Sequence, residues 1–128
     1  MSTLRVNSLL NAAGTDTPAI DGLAKAWVNF NGQGTVAIRD SFNVSTITDN
    51  GTGDYTVNFT TALADVNYSI VLTAGYTTNG GNPSFGVANR IGTTGNEQTP
   101  TTSNFRFNVN NTTGNANDSK YVHAAIFR

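Results

Sequence analysis

The sequence predicts an all-β protein: an antiparallel β-sandwich of jelly-roll-like type, preceded by an extended N-terminal arm. Its polar residues are dominated by 20 Thr and 18 Asn, whereas there are only two Lys and one Glu. Thr favours strands and Asn favours turns, while Lys and Glu are typical of helices. From residue 25 onward apolar and polar residues alternate with a period of two, and no stretch longer than about ten residues has a helical period.

The 128 residues are predicted to form an attachment arm, residues 1–24, and one sandwich domain, residues 25–128. Apolar residues near the end of a chain need a partner surface. They either pack on their own domain or dock on a neighbouring subunit or a larger particle. The arm carries four of them: Leu4, Val6, Leu9 and Leu10.

Two glycine turns divide the first half of the domain. The first strand, residues 25–30, places Trp27 on the face opposite Ala26, Val28 and Phe30, and it ends at the turn Asn31-Gly-Gln-Gly34. Because Asn and Gly tolerate positive φ, the second turn, Asp49-Asn-Gly-Thr-Gly-Asp54, predicts a hairpin.

The remaining alternations predict further strands with one inward face each. Residues 42–48 are expected to form one strand with a bulge before Ile47, where the apolar phase slips. A short strand is expected at residues 85–87. The inward side chains of the other strands are Val36 and Ile38; Phe42 and Val44; Tyr55, Val57 and Phe59; Tyr68, Ile70, Leu72 and Ala74; Phe105, Phe107 and Val109; and Val122, Ala124 and Ile126.

Two long loops, residues 76–83 and 91–102, interrupt this pattern. Long ordered loops are more often functional than short ones. If the protein recognises another surface, the receptor contacts are expected among their polar and aromatic residues: Tyr76, Asn79, Asn82, Asn96, Glu97 and Gln98.

Composition argues against several classes of function. The chain has seven basic and eight acidic residues, so its charge is nearly balanced and nucleic acid is not an expected partner. No apolar run approaches the ~20 residues of a membrane span, and no membrane insertion is expected. The chain has no cysteine and no signal-like apolar run, which predicts folding in a reducing cytoplasm.

We expect no enzymatic activity, no catalytic residues, no cofactor and no metal site. His123 is the only histidine and fits no nucleophile motif. The loop that begins at Asp49 has Thr60 at its twelfth position, where a calcium loop needs an acidic ligand. Trp27 is expected to fill the core or a subunit interface, although aromatic rings beside amides also suit sugar binding.

The first half of the chain resembles a module of tail-fibre-like and other virion structural proteins of tailed phages, especially those of marine cyanobacteria. The matching residues are Lys25-Ala-Trp-Val-Asn-Phe30, Thr35-Val-Ala-Ile-Arg39, Phe42-Asn-Val44, Ile47-Thr-Asp-Asn-Gly-Thr-Gly-Asp-Tyr-Thr-Val-Asn-Phe59 and Asn67-Tyr68, and the opening Ser2-Thr-Leu-Arg-Val-Asn7 with Asn11-Ala-Ala-Gly14 is also similar.

The resemblance implies a virion component that is assembled in the host cytoplasm and is commonly a homotrimer. The leading hypothesis is a tail-fibre or receptor-binding component that contacts a host surface glycan. The alternative is a capsid or tail decoration protein that docks on other virion proteins through residues 1–24. A third hypothesis, a small depolymerase, lacks a visible pair of acidic residues.

Overall fold

The computed structural model describes residues 23–75, the backbone of residues 84–88, and residues 99–128. The strands are β1 (Ala24–Asn31), β2 (Ala37–Phe42), β3 (Val44–Gly51), β4 (Asp54–Phe59), β5 (Ser69–Gly75), β6 (Ser84–Ala88), β7 (Asn104–Asn111) and β8 (Tyr121–Phe127). The predicted all-β class is confirmed. The described residues contain no helix long and apolar enough to cross a membrane.

The strands form two four-stranded antiparallel sheets. Sheet 1 has the order β2-β1-β8-β5, and sheet 2 has the order β3-β4-β7-β6. The predicted antiparallel sandwich is therefore confirmed. Within it, β1 pairs with β2 and β3 pairs with β4. Among the described strands, three pairs of successive strands stay in one sheet, β1–β2, β3–β4 and β6–β7, and the other four connections cross between the sheets.

The inner faces of the two sheets build one apolar core, as a sandwich requires. Its aromatic centre is formed by Phe30, Tyr55 and Phe107, and the Phe30 and Tyr55 rings meet edge to face at 5.2 Å between centroids. The predicted inward faces of β1, β4, β7 and β8 are confirmed. The buried apolar side chains are Ala26, Val28, Phe30, Val44, Tyr55, Val57, Phe59, Phe105, Phe107, Val109, Val122, Ala124 and Ile126.

The predicted strand of residues 42–48 is wrong at its start. Asn43 has φ of 53°, a left-handed conformation that Asn tolerates better than most residues. Its side chain donates hydrogen bonds to the carbonyl oxygens of Lys25 and Thr61, each over 3.1 Å. The chain changes sheets at this residue, so Phe42 lies on the outer face of sheet 1 while Val44 enters the core.

Two further details of the strand predictions are resolved. The bulge expected before Ile47 is confirmed, because the β3–β4 register shifts between Val44 and Thr46. The strand predicted around Val36 and Ile38 lies later, at Ala37–Phe42. Val36 and Ile38 nevertheless pack against the core as predicted.

The glycine turns are held together by a short segment before β8. The hydroxyl of the buried Tyr55 lies 2.8 Å from both the Gly32 carbonyl oxygen and the Asp118 carboxylate. The backbone N–H of Gly53 donates to the same carboxylate oxygen over 2.7 Å, and Gly32 N–H donates to the Ser119 carbonyl. The first turn, the hairpin turn and the β8 approach therefore form one hydrogen-bonded end of the sandwich, called here the Asp118 cluster.

Candidate functional site

The sequence-predicted site residues lie outside the described residues. This applies to the arm residues Leu4, Val6, Leu9 and Leu10, and to the loop residues Tyr76, Asn79, Asn82, Asn96, Glu97 and Gln98. Their roles remain predictions.

Apolar side chains form a row across the outer face of sheet 1. Trp27 on β1 pairs with Phe42 on β2 and with Ala125 on β8, and Ala125 pairs in turn with Val71 on β5. Phe42 and Val71 are each 54% exposed and Trp27 is 36% exposed. Trp27 is therefore not a core residue; a subunit interface and a sugar contact, the other two roles considered for it, both remain predictions.

A polar row lies next to the apolar one. Asn29 pairs with Asp40 on β2 and with His123 on β8, and His123 pairs with Thr73 on β5. Side chains two positions apart on a strand share a face, so these groups stand roughly 7 Å from the apolar row. Among the described residues, the side chains of Thr73 and His123 have no hydrogen-bond partner, and both residues are exposed.

A groove of about 380 Å³ forms where the two rows meet. Ala125 is its floor, and the larger side chains of Trp27 and Val71 stand on the two flanking strands. These strands lie about 10 Å apart, twice the usual spacing in a sheet. Asn29, Thr73 and His123 line the neighbouring part. The groove thus combines an aromatic wall with a few polar groups, the usual make-up of a small-molecule site.

A positively charged cluster borders this surface. The Arg39 guanidinium lies 4.8 Å from the centroid of the Tyr121 ring, and the Lys120 ammonium lies 5.8 Å from it. Arg39 also donates hydrogen bonds to the Lys120 carbonyl over 2.6 Å and to the Asn29 amide oxygen over 3.3 Å. These contacts fix the orientation of Arg39 and of one groove residue, Asn29.

The outer face of sheet 2 has a different character. Its central amide, Asn58, donates to the hydroxyls of Thr46 and Thr48, and Asn50 donates to the hydroxyl of Thr56. Arg106 adds two hydrogen bonds to the Asp54 carboxylate, each over 2.7 Å. A solvated sheet face normally carries such polar residues, and the outward side chains described on β3, β4 and β7 form no apolar row like that of sheet 1.

The carboxylates of the described residues do not gather into a metal centre. No group of three or more His, Cys, Asp or Glu side chains lies close enough together there to hold an ion. Around the hairpin turn, Asp54 binds Arg106 and Asp49 accepts a hydrogen bond from Gly51 N–H. Asp118 is committed to the hydrogen bonds of the Asp118 cluster.

The strongest electrostatic perturbation belongs to the fold and not to the groove. Burial, together with the hydrogen bond to Asp118, raises the pKa of the Tyr55 hydroxyl far above the ordinary value of a tyrosine. Burial also raises the pKa of Tyr68 to about 12. Both hydroxyls are therefore neutral hydrogen-bond donors across the physiological range.

No family model, curated protein or solved structure matches the chain. The resemblance to phage virion proteins thus remains an expectation, and the groove has to be interpreted from its own chemistry. Sequence reasoning had noted Trp27 and His123 separately but had not placed them together. The available signal was that Trp27 and Val71 occupy outward positions of their strands, where polar residues are usual.

Proposed function

We propose that this chain is a non-enzymatic structural component of a phage virion, and that it acts as a tail-fibre or receptor-binding component contacting a host surface glycan. The exposed apolar row of sheet 1 is the observation that carries a binding role. A contiguous apolar surface edged by polar groups is typical of an interaction site. It stands on a rigid sheet, which suits adhesion to another surface.

The residues of the resemblance support a structural module. Gly32 and Gly53, one from each glycine turn, both contact the residues before β8, and Tyr55 joins them through its hydroxyl. The motif therefore builds a tightly bonded end of a sandwich. Such an element would help the domain withstand exposure outside the cell without disulfides, which this cysteine-free chain cannot form.

In this proposal the protein acts as part of the assembled phage particle. Three copies would form the functional unit, residues 1–24 would attach it to other virion proteins, and the loops 76–83 and 91–102 would project toward the host. Shortening both loops should then abolish binding to host cells while the domain still unfolds cooperatively. Unchanged binding would exclude the loops as the contact.

A decoration protein on the capsid or tail is the second candidate. It is favoured by the same apolar row, because a protein that clamps neighbouring subunits also needs an exposed apolar surface. The two functions differ in copy number and position. In the decoration role the chain would form a regular array, and in the receptor-binding role it would sit in small clusters at the end of an appendage.

Mass spectrometry and cryo-EM reconstruction of purified particles test the proposal. We expect the chain among the virion proteins, in three-fold clusters at the tip of a tail appendage. A regular array on the capsid would establish the decoration role instead. Absence of the chain from purified, infectious particles would overturn both.

A further inference from the structure

We propose that the groove between Trp27 and Val71 binds one ring of a neutral saccharide. This inference rests on the proposed receptor-binding function and assigns a glycan contact to the face of sheet 1, in addition to the loops. It is carried by the pattern of side-chain sizes, by the polar groups and by the absence of Asp, Glu, Lys and Arg from the lining.

The size pattern favours a ring-shaped ligand. Across three neighbouring strands the outward residues are Trp27, Ala125 and Val71, in the order large, small, large. A flat surface laid on this row would rest on the two walls and leave the floor at Ala125 unfilled. A pyranose ring can instead enter the groove and place its C–H face against the indole of Trp27.

The polar groups favour a ligand with hydroxyls. Thr73 offers a hydroxyl and His123 an imidazole, and neither has a hydrogen-bond partner among the described residues. Covering such groups with an apolar surface would leave them unsatisfied, which is costly. The hydroxyls of a sugar both donate and accept, so they can satisfy these side chains together with the Asn29 amide.

The lining indicates a neutral sugar. It contains Asn29, Thr73 and His123 as polar groups, with no carboxylate and no Lys or Arg side chain. Asp40 and Arg39 belong to β2, outside the groove lining, and Arg39 donates a hydrogen bond to the amide oxygen of the lining residue Asn29. An acidic sugar would find no Lys or Arg side chain in the groove lining, whereas a hexose or an N-acetylhexosamine needs none.

The only tryptophan of the chain lies in this groove, so its fluorescence reports directly on occupancy. The full-length protein is titrated with the methyl pyranosides of glucose, galactose, mannose and N-acetylglucosamine, up to about 10 mM, tenfold above a Kd of about 1 mM. We expect a saturable change of emission with at least one of them. A flat response to the whole panel would overturn the proposal.

Two groove variants and one matched control keep Trp27 as the probe. Ala125→Leu fills the floor and Thr73→Val removes one hydroxyl at nearly constant shape, and we expect about tenfold and about threefold weaker binding respectively. Phe42→Ala changes the same apolar row on the far side of Trp27, outside the groove, and should bind within about twofold of the unmodified chain. Binding that Ala125→Leu leaves unchanged would place the sugar elsewhere.

Sedimentation of the same variants separates a saccharide site from an interface between copies. If a second copy covers the apolar row, Phe42→Ala and Ala125→Leu will both lower the association state, and Trp27 emission will depend on protein concentration. That result would overturn the saccharide assignment. Mass spectrometry and cryo-EM of purified particles test the proposed function separately from the saccharide site. The chain can be a virion protein with an empty groove, or it can bind sugar without being in the particle.

Discussion

The hydroxyl of Tyr55 lies 2.8 Å from the carboxylate of Asp118, although the two residues are 63 positions apart in the chain. Tyr55 is fully buried on β4, and Asp118 precedes β8. The same hydroxyl lies 2.8 Å from the Gly32 carbonyl oxygen, so its single hydrogen is shared between two acceptors. This contact links both sheets at one end of the sandwich.

Removing the Tyr55 hydroxyl should therefore destabilise the fold. Hydrogen bonds to charged groups contribute about 1.5–3 kcal/mol, and we expect Tyr55→Phe to lower the free energy of unfolding by that amount. Urea unfolding measures it. Tyr121→Phe is the control, because the Tyr121 ring is 43% exposed and surface changes usually stay within about 0.5 kcal/mol. Equal effects of the two substitutions would show that the Asp118 contact contributes nothing.

The same residue should make the protein sensitive to alkali. The folded state raises the pKa of Tyr55, whereas the unfolded chain has the ordinary tyrosine value of about 10. Its stabilising contribution is therefore complete below about pH 10 and is lost as the pH rises above that value, because the unfolded state then releases its proton first. Urea midpoints between pH 8 and pH 11.5 should fall less steeply in Tyr55→Phe.

Tyr68 contributes to the slope that remains in that experiment. The folded state raises the pKa of Tyr68 to about 12. The stabilising contribution of Tyr68 is therefore also lost at alkaline pH, in Tyr55→Phe as in the unmodified chain. Tyr55→Phe should keep this smaller dependence on pH. If the urea midpoints of Tyr55→Phe and of the unmodified chain fall equally steeply with pH, that result would contradict the raised pKa of Tyr55.

Gly53 should tolerate no side chain. It has φ of 62°, and an added Cβ would lie 2.4 Å from the Val109 carbonyl oxygen and 2.6 Å from the Asn117 nitrogen. Gly34 has nearly the same φ, 63°, with no atom within 4 Å of that position. Gly34→Ala thus measures the backbone cost alone, about 1 kcal/mol. Gly53→Ala adds the steric clash, and we expect roughly 3–4 kcal/mol by urea unfolding.

Similar losses for both glycine variants would mean that the Val109–Asn117 backbone moves aside without cost. The two hydrogen bonds there argue otherwise. Val109 N–H donates to the Gly53 carbonyl over 2.8 Å, and Asn117 N–H donates to the Val109 carbonyl over 2.9 Å. Any shift of this backbone breaks bonds that the turn itself makes.

Local patterns in the sequence were sufficient to predict most of the sandwich. The inward faces of β1, β4, β7 and β8 follow a strict period of two, and the hairpin turn at Gly51 and Gly53 uses residues that accept positive φ. The split at Asn43 was missed because Phe42 and Val44 continue the alternation across it. A left-handed residue inside an alternating run leaves no mark on the hydrophobic pattern.

The groove could not be predicted in the same way. It depends on the register that places Trp27, Ala125 and Val71 side by side, and these residues come from distant parts of the chain. Register between distant strands is set by core packing and bulges, such as the shift between Ala24 and Ala26 in the β1–β8 pair. A single sequence shows outward apolar residues, but not which of them become neighbours.

The Arg106–Asp54 ion pair on sheet 2 should matter more for stability than the Arg128–Asp65 pair. Arg106 donates two hydrogen bonds of 2.7 Å to Asp54, which is only 6% exposed. Breaking a fully buried pair costs about 3–5 kcal/mol; because the Arg106 side chain is 26% exposed, we expect roughly 2–3 kcal/mol for Arg106→Met. Urea unfolding of Arg106→Met and of the unmodified chain at neutral pH measures this loss of unfolding free energy.

Arg128→Met is the matched control for this substitution. Arg128 also donates through two nitrogens to a carboxylate, that of Asp65, but both side chains are more than one third exposed. The Arg128 hydrogen bond lowers the pKa of Asp65, so the contribution of this pair is present above the ordinary aspartate pKa and disappears as the pH falls further. Salt should also screen it, whereas the buried pair is screened much less. In 1 M NaCl the effect of Arg128→Met should vanish and that of Arg106→Met should persist; loss of both effects would show that Asp54 is accessible to solvent ions.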